Sequence, residues 1–143
     1  MKAHCLAAFM AGALLAGGAC AQDFPSEEQL ALCYKEAGND QNAVKKCLDT
    51  ELAAVQAEYK EVGDRVMVEV KRRDKGVGNR DAWRKAIAAQ QNYENYVKNE
   101  CAVARLMEKG SRVKLDNAVT ACRIGLYRTR TQMLENRYLR GGD

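Results

Sequence analysis

The chain contains a single proline, Pro25, and this scarcity is the feature that most constrains its fold. Proline ends or kinks a helix, so its absence after residue 25 leaves the rest of the chain free to form long helices. Glycine, which also weakens helices, occurs between residues 39 and 109 only at positions 63, 76 and 78. The sequence therefore predicts an all-α protein, an elongated antiparallel bundle of about four helices.

Capping residues and glycines set the predicted helix boundaries. The first helix begins with Ser26 and Gln29 as a capping box and ends at Gly38. Asn39 or Asp40 caps the second helix. The predicted helices cover residues 25–38, about 41–73, about 80–108 and about 112–139.

Apolar residues recur along the last three predicted helices in steps of three and four, which is helical periodicity. On the second helix the buried positions lie close to a heptad seam and are Val44, Leu48, Leu52, Val55, Tyr59, Val62, Val66 and Val70. On the third helix the predicted inward positions are Trp83, Ile87, Tyr93, Tyr96, Val97, Cys101 and Ala104. On the fourth helix they are Leu115, Val119, Cys122, Leu126 and Met133.

Residues 1–21 have the pattern of a secretory signal peptide. Lys2 provides a basic start, residues 6–15 form an apolar core, and small residues end at Ala21. We expect cleavage after Ala21, which leaves one mature domain of residues 22–143 in the periplasm or outside the cell. Two alternatives stay open. One is a membrane anchor, although the apolar core has about half the required length; the other is a lipoprotein anchored through Cys20.

Cleavage removes two of the six cysteines and the only histidine, His4. An even number of cysteines, four, then remains in an oxidising compartment, which predicts two disulfides. Residues that are roughly equidistant from the turn of an antiparallel helical hairpin face each other. Cys33 and Cys47 meet this condition around the first turn, and Cys101 and Cys122 meet it around the last. The predicted pairs are Cys33–Cys47 and Cys101–Cys122, one in each of two helical hairpins.

The residue types that remain argue against catalysis. Without histidine, the mature chain lacks the usual general base and metal ligand and any Ser-His-Asp or Cys-His arrangement. It has no C-x-x-C pair, which argues against a zinc ribbon and a thioredoxin-like redox site. No short segment concentrates acidic residues among aromatic ones, as a sugar-cleaving site requires. We therefore predict a protein that is not an enzyme, with no catalytic residue, metal site or cofactor.

Charge is distributed unevenly. Residues 22–70 carry 5 basic and 11 acidic side chains, whereas residues 71–143 carry 17 basic and 8 acidic ones. One interpretation is that an acidic helix packs beside basic helices. The other is a basic surface for an anionic partner, formed by the segment between the second and third helices and by arginines spaced by seven on one helical face. Its candidate residues are Lys71, Arg72, Arg73, Lys75, Arg80, Arg123, Arg130 and Arg137.

The chain has no recognised nucleic-acid-binding motif, and nucleic acid is a poor partner for an exported protein. Envelope phosphates, cell-wall carboxylates and the acidic cleft of an enzyme are better candidates. Arginine can bind each of these with two parallel hydrogen bonds. Membrane association is expected only if Cys20 is lipidated.

A set of spaced residues in the second half of the chain follows a recurring pattern: Gln90, Tyr93, Tyr96, Cys101, Cys122, Arg130 and Leu134. The pattern reads Q-x-x-W-x-x-Y-x-x-x-x-C, a Gly-Ser turn, and C-x-x-x-x-T-x-x-R-x-x-x-L. It resembles the bacterial LprI-like lysozyme-inhibitor family, and Cys33, Cys47 and Tyr59 also fit. This chain has Tyr93 in place of the usual Trp, Tyr127 in place of the usual Thr, and one glycine in its turn.

The resemblance covers roughly residues 30–139. It implies an exported, helical, disulfide-linked protein that binds a protein partner and, in some members, inhibits lysozyme. The expected function is therefore a non-catalytic inhibitor of lysozyme or another cell-wall hydrolase. A structural or adaptor protein of the bacterial envelope is the alternative.

Overall fold

The computed structural model describes residues 25–77 and 80–140. In these ranges the chain forms the helices α1 (Pro25–Ala37), α2 (Gln41–Val77), α3 (Asp81–Met107) and α4 (Arg112–Leu134), and α4 continues into one π-helical turn, Glu135–Leu139. No strand occurs within them, so the predicted all-α class and the helical bundle are confirmed. The predicted signal peptide, Cys20 and the side chains of the predicted capping box lie outside the described part of the chain.

α2 is the longest helix, with 37 residues, which corresponds to about 55 Å at the rise of an α-helix. Asp40 caps its N-terminus, because Oδ1 accepts the N–H groups of Asn42 at 2.9 Å and Ala43 at 3.4 Å. Gly38 precedes this cap with a φ of 63°, a left-handed conformation that ends α1. α2 continues beyond its predicted end, through Gly76, because one glycine weakens a helix by only about 1 kcal/mol.

α4 is the central helix, and it packs against each of the other three. α2 and α4 run parallel. Near their starts, Asn117 Nδ2 donates to the main-chain oxygen of Gln41 at 3.1 Å, and about two thirds of the way along α2, Arg65 Nη1 lies 3.9 Å from Oε1 of Glu135, directly after α4. α1 and α3 run antiparallel to this pair.

The length of α1 divides the bundle into two parts. α1 has 13 residues and α2 has 37, so α1 covers only about the first third of α2. The bundle therefore has four helices around the α1–α2 and α3–α4 turns, which we call the four-helix end. It has three helices around the α2–α3 connection, which we call the three-helix end.

The buried stripe of α2 follows the prediction. Its buried apolar residues are Val44, Leu48, Val55, Tyr59, Val62 and Val66, and the other two predicted positions, Leu52 and Val70, are half-buried against them. On α3 the prediction was wrong for Tyr96, which is 48% exposed, whereas Val97 and Cys101 are buried. The ring of Tyr96 nevertheless packs against the ring of Tyr93, with the two centroids 5.9 Å apart.

The predicted stripe of α4 was wrong at Met133, which is 36% exposed. The buried residues of this helix are Asn117, Ala121, Ile124, Gly125, Tyr127, Thr131 and Leu134. A single apolar stripe describes a helix that buries one face. α4 is covered on several sides, so small and polar residues are buried beside apolar ones.

Both disulfides join the predicted partners. Cys33 and Cys47 link α1 to α2, with their Cα atoms 5.7 Å apart, and Cys101 and Cys122 link α3 to α4, with their Cα atoms 5.6 Å apart. Each disulfide thus connects the two helices of one hairpin, and both lie in the four-helix end.

Replacing either cysteine pair by alanine should lower the free energy of unfolding by about 3 kcal/mol, because the closed loop restricts the unfolded chain. The separations of 14 and 21 residues imply losses that differ by only about 0.4 kcal/mol, since loop entropy grows with the logarithm of length. Urea unfolding of the double variants Cys33→Ala/Cys47→Ala and Cys101→Ala/Cys122→Ala measures the loss for each disulfide. An unchanged free energy of unfolding in either variant would show that its disulfide does not stabilise the fold.

Candidate functional site

The three-helix end contains an apolar groove between α2 and α3, with a volume of about 350 Å³. Buried residues of α2 and α4, among them Tyr59, Val66 and Leu134, form its base. Its sides are lined by Gly63 on α2, which has no side chain, and by three alanines on α3, which have only a methyl group. The groove exists because these small residues prevent the facing surfaces of α2 and α3 from filling the space between them.

Arg130 of α4 lines this groove and carries a positive charge. Its guanidinium carbon lies 5.0 Å from the centroid of the Tyr93 ring, and Nη1 lies 3.8 Å from the sulfur of Met133. Its Nε atom is buried and has no hydrogen-bond partner. Lys85 of α3 also lines the groove. Within the described residues, no ion pair involves either cation.

A tyrosine cluster joins α2, α3 and α4 next to Arg130. The ring centroid of Tyr59 lies 5.0 Å from that of Tyr127 and 6.2 Å from that of Tyr93. The Tyr93 hydroxyl donates to the main-chain oxygen of Leu126 at 2.7 Å, and the Tyr127 hydroxyl donates to Glu94 Oε2 at 2.6 Å. The two tyrosines that depart from the recurring pattern, Tyr93 and Tyr127, thus both form hydrogen bonds between α3 and α4.

Burial and the neighbouring charge of Glu94 raise the pKa of Tyr59 to about 12. Burial also raises the pKa of Tyr93 to about 12, although the charge of Arg130 opposes the rise. The pKa of Tyr127 is raised by burial and by its hydrogen bond to Glu94. These phenols stay protonated at neutral pH, so the cluster packs the helices together and supplies no nucleophile.

Stability should fall as the pH rises from about 10 to about 12. Tyrosine ionises near pH 10 in an unfolded chain, whereas Tyr59 and Tyr93 keep their protons to about pH 12 in the folded one. The stability that these two protonated tyrosines contribute is present in full below the pKa of tyrosine in the unfolded chain. It is lost as the pH rises through their pKa in the folded protein. Urea unfolding at stepped pH measures this loss, and the double variant Tyr59→Phe/Tyr93→Phe should show a shallower decline. An equal decline in both proteins would contradict the assignment.

Five of the predicted binding residues lie at the end of the molecule, four in the last two turns of α2 and one directly before α3. We call this set the basic tip, and all of its side chains are exposed: Lys71, Arg72, Arg73, Lys75 and Arg80. Arg72 Nε and Arg73 Nε bind Glu69 at 2.8 and 2.7 Å. Their hydrogen bonds lower the pKa of Glu69 to about 2. Two arginines share one carboxylate, so this part of the tip keeps a net positive charge.

The three arginines of the predicted stripe have different surroundings. Arg130 lies in the groove, Arg123 lies near Tyr127, and Arg137 is exposed on the π-helical turn. A π-helical turn has more residues than an α-helical turn. Arg137 therefore does not lie on the face that it would share with Arg130 if the α-helix continued. Contact of these arginines with a partner stays a prediction.

Asp74 holds the basic tip against α3. It is 8% exposed, and Oδ2 accepts the N–H group of Trp83 at 2.8 Å. This bond satisfies one of the backbone donors that the first turn of α3 leaves unpaired. The sequence did not reveal this role, because Asp74 lies seven residues before the start of α3 at Asp81, whereas an N-cap normally comes directly before the helix.

Asp74→Ala should lower the free energy of unfolding by about 1 kcal/mol, as loss of a capping acceptor typically does. Asp74→Asn keeps an acceptor oxygen and should lose less. Urea unfolding measures both, and faster hydrogen exchange of the Trp83 amide in the alanine variant locates the effect. The control is Asp64→Ala, an exposed residue paired with Lys60 on α2, which should change stability by less than about 0.5 kcal/mol. If Asp74→Ala is no more destabilising than the control, Asp74 does not cap α3.

The described ranges contain no group of three or more His, Cys, Asp or Glu residues placed to hold a metal ion. None of the helices within them has the length and apolar character needed to cross a bilayer.

In a comparison with protein families, the model described as lysozyme inhibitor LprI matches residues 33–134. The chain belongs to the LprI lysozyme-inhibitor family. The matched LprI region includes all four disulfide cysteines, the basic tip, Gln90 and Arg130, and it confirms the resemblance inferred from the spacing of cysteine and aromatic residues. Comparisons with curated proteins and with solved structures find no match.

Proposed function

We propose that this chain is an exported, non-catalytic protein that binds and inhibits a lysozyme or another cell-wall hydrolase. The observation that carries the proposal is the match to the lysozyme-inhibitor family over residues 33–134. The two disulfides support export, because disulfides persist in oxidising compartments such as the periplasm and the cell exterior.

The basic tip is the surface that we assign to the hydrolase. Lysozymes and related enzymes cleave with two carboxylic residues in a cleft. The tip lies at the end of two long helices, and Lys71, Lys75 and Arg80 form no ion pair within the described residues. Exposed cations at the end of a narrow structure suit an acidic cleft in both shape and charge.

Two physical effects would follow from entry of the basic tip into such a cleft. The tip would exclude the polysaccharide from the positions it occupies. A cation placed near the catalytic acid would also lower the pKa of that carboxyl group. The acid needs a raised pKa to donate a proton to the leaving sugar, so the enzyme would lose its proton donor as well as its substrate.

An inhibition panel with several lysozymes of different net charge tests the proposal. The oxidised protein should inhibit at least one of them at micromolar excess. A tip variant, with all five basic residues changed to Gln, should inhibit at least tenfold more weakly, because each lost charge-assisted hydrogen bond contributes about 1.5–3 kcal/mol. The matched control changes five exposed cations of the four-helix end to Gln: Lys35, Lys45, Lys46, Lys109 and Arg112.

The outcomes separate the function from its surface. Full activity of every lysozyme in micromolar excess of the protein would contradict inhibition of this enzyme class. If the tip variant inhibits as strongly as the unchanged protein, the basic tip is not the contact surface, but the protein is still an inhibitor. Loss of inhibition in the control variant alone would move the contact to the four-helix end.

One observation favours the alternative, an adaptor protein of the bacterial envelope. At the C-terminal end of α3, far from the basic tip, Val103, Leu106 and Met107 are 51%, 81% and 79% exposed. A group of exposed apolar side chains commonly marks a protein-binding surface. An adaptor would recover envelope assembly components in a pull-down from envelope extract, and Leu106→Gln/Met107→Gln would abolish that recovery, whereas a hydrolase inhibitor would recover the hydrolase.

A further inference from the structure

We propose that the groove of the three-helix end binds a ligand that combines one alkyl chain with one carboxylate group, which is the chemistry of a medium-chain fatty acid. The groove lies between α2 and α3 and includes none of the five residues of the basic tip. The proposal therefore stands independently of hydrolase inhibition.

The alkyl chain would lie along the small residues of the groove. No atom lies within 4 Å of the position that a Cβ atom would occupy on Gly63, so the space beside this glycine is open. On the opposite side, Ala82, Ala86 and Ala89 line the groove over a length of about 10 Å, from seven residues at the helical rise. The volume of about 350 Å³ lies within the range of about 300–1,000 Å³ that is usual for small-molecule sites.

The carboxylate would bind the two cations that line the groove. Arg130 and Lys85 form no ion pair with any described residue. Contact with the Tyr93 ring offsets part of the cost of removing the Arg130 guanidinium from water, and its buried Nε atom still lacks a hydrogen-bond acceptor. A ligand carboxylate would supply acceptor oxygens in the fork geometry that arginine prefers.

The walls of the groove disfavour a polypeptide ligand. They are helices, whose backbone N–H and C=O groups bond within the helix. An extended peptide in the groove would lose hydrogen bonds to water without gaining new ones, and this loss is unfavourable. A docked helix has a diameter of about 10–12 Å and is too wide for a groove of about 350 Å³. An alkyl chain has no backbone polar groups, so it avoids both costs.

Titration calorimetry of the oxidised protein with monomeric decanoate tests the site. The unchanged protein should bind one decanoate per chain. Gly63→Leu places a side chain in the groove and should weaken binding at least tenfold. Gly76→Leu is the matched control, because Gly76 lies on the same helix, also has open space around its Cβ position and does not line the groove. Leucine favours a helix more than glycine does, so both variants should stay folded, and circular dichroism checks this.

The head group and the cation are tested separately. Decanol and decylamine should bind at least tenfold more weakly than decanoate, because neither offers a charged acceptor to arginine. Arg130→Met should weaken decanoate binding by a similar factor and leave decanol binding unchanged, whereas the control Arg123→Met should bind decanoate as the unchanged protein does.

Three results would overturn the proposal. The first is equal affinity for decanoate and decanol, which would show that the carboxylate is not recognised. The second is decanoate binding by Gly63→Leu that matches binding by Gly76→Leu, which would place the ligand outside the groove. The third is tighter binding of a short leucine-ended peptide with a free C-terminal carboxylate than of decanoate, which would make the groove a peptide site.

Discussion

The burial of α4 on several sides is the constraint on which the rest of the bundle depends. Every other helix packs against α4, so its residues must fill three interfaces. Asn117 is 1% exposed, and its Nδ2 donates to the main-chain oxygen and to Oε1 of Gln41 at the start of α2, which satisfies the donor group of this buried amide. Farther along, Tyr127 bonds to Glu94 of α3. α4 thus sets the positions of its neighbours through polar contacts as well as apolar packing.

The two ends of the bundle differ because α1 is short. At the four-helix end, α1 completes the packing around α2 and α4, and both disulfides lie there. At the three-helix end, no fourth helix of the described residues covers the bundle, and small residues such as Gly63 and Ala86 leave a groove beside Arg130. One end therefore carries both disulfides, and the other carries the groove and the basic tip.

The uneven charge is partly explained by pairing between helices. Glu51 of α2 pairs with Arg128 of α4, which is the expected complementarity between an acidic and a basic helix. Most ion pairs of α2, however, form within the helix, as between Lys60 and Asp64. Five of the 17 basic side chains of residues 71–143 lie in the basic tip, and two of these, Arg72 and Arg73, share the carboxylate of Glu69.

The sequence by itself determined the helices, their turns and the disulfide pairing. The scarcity of proline, the period of the apolar residues and the distance of each cysteine from its turn are local properties of the chain. Their effect on the helices and turns does not depend on how distant helices pack. Tertiary structure alone decided the buried face of α4, the cap that Asp74 provides for α3, and the meeting of Gly63, Lys85 and Arg130 in one groove. Those features depend on how helices distant in sequence pack together, and periodicity along one helix carries no information about which neighbours cover it.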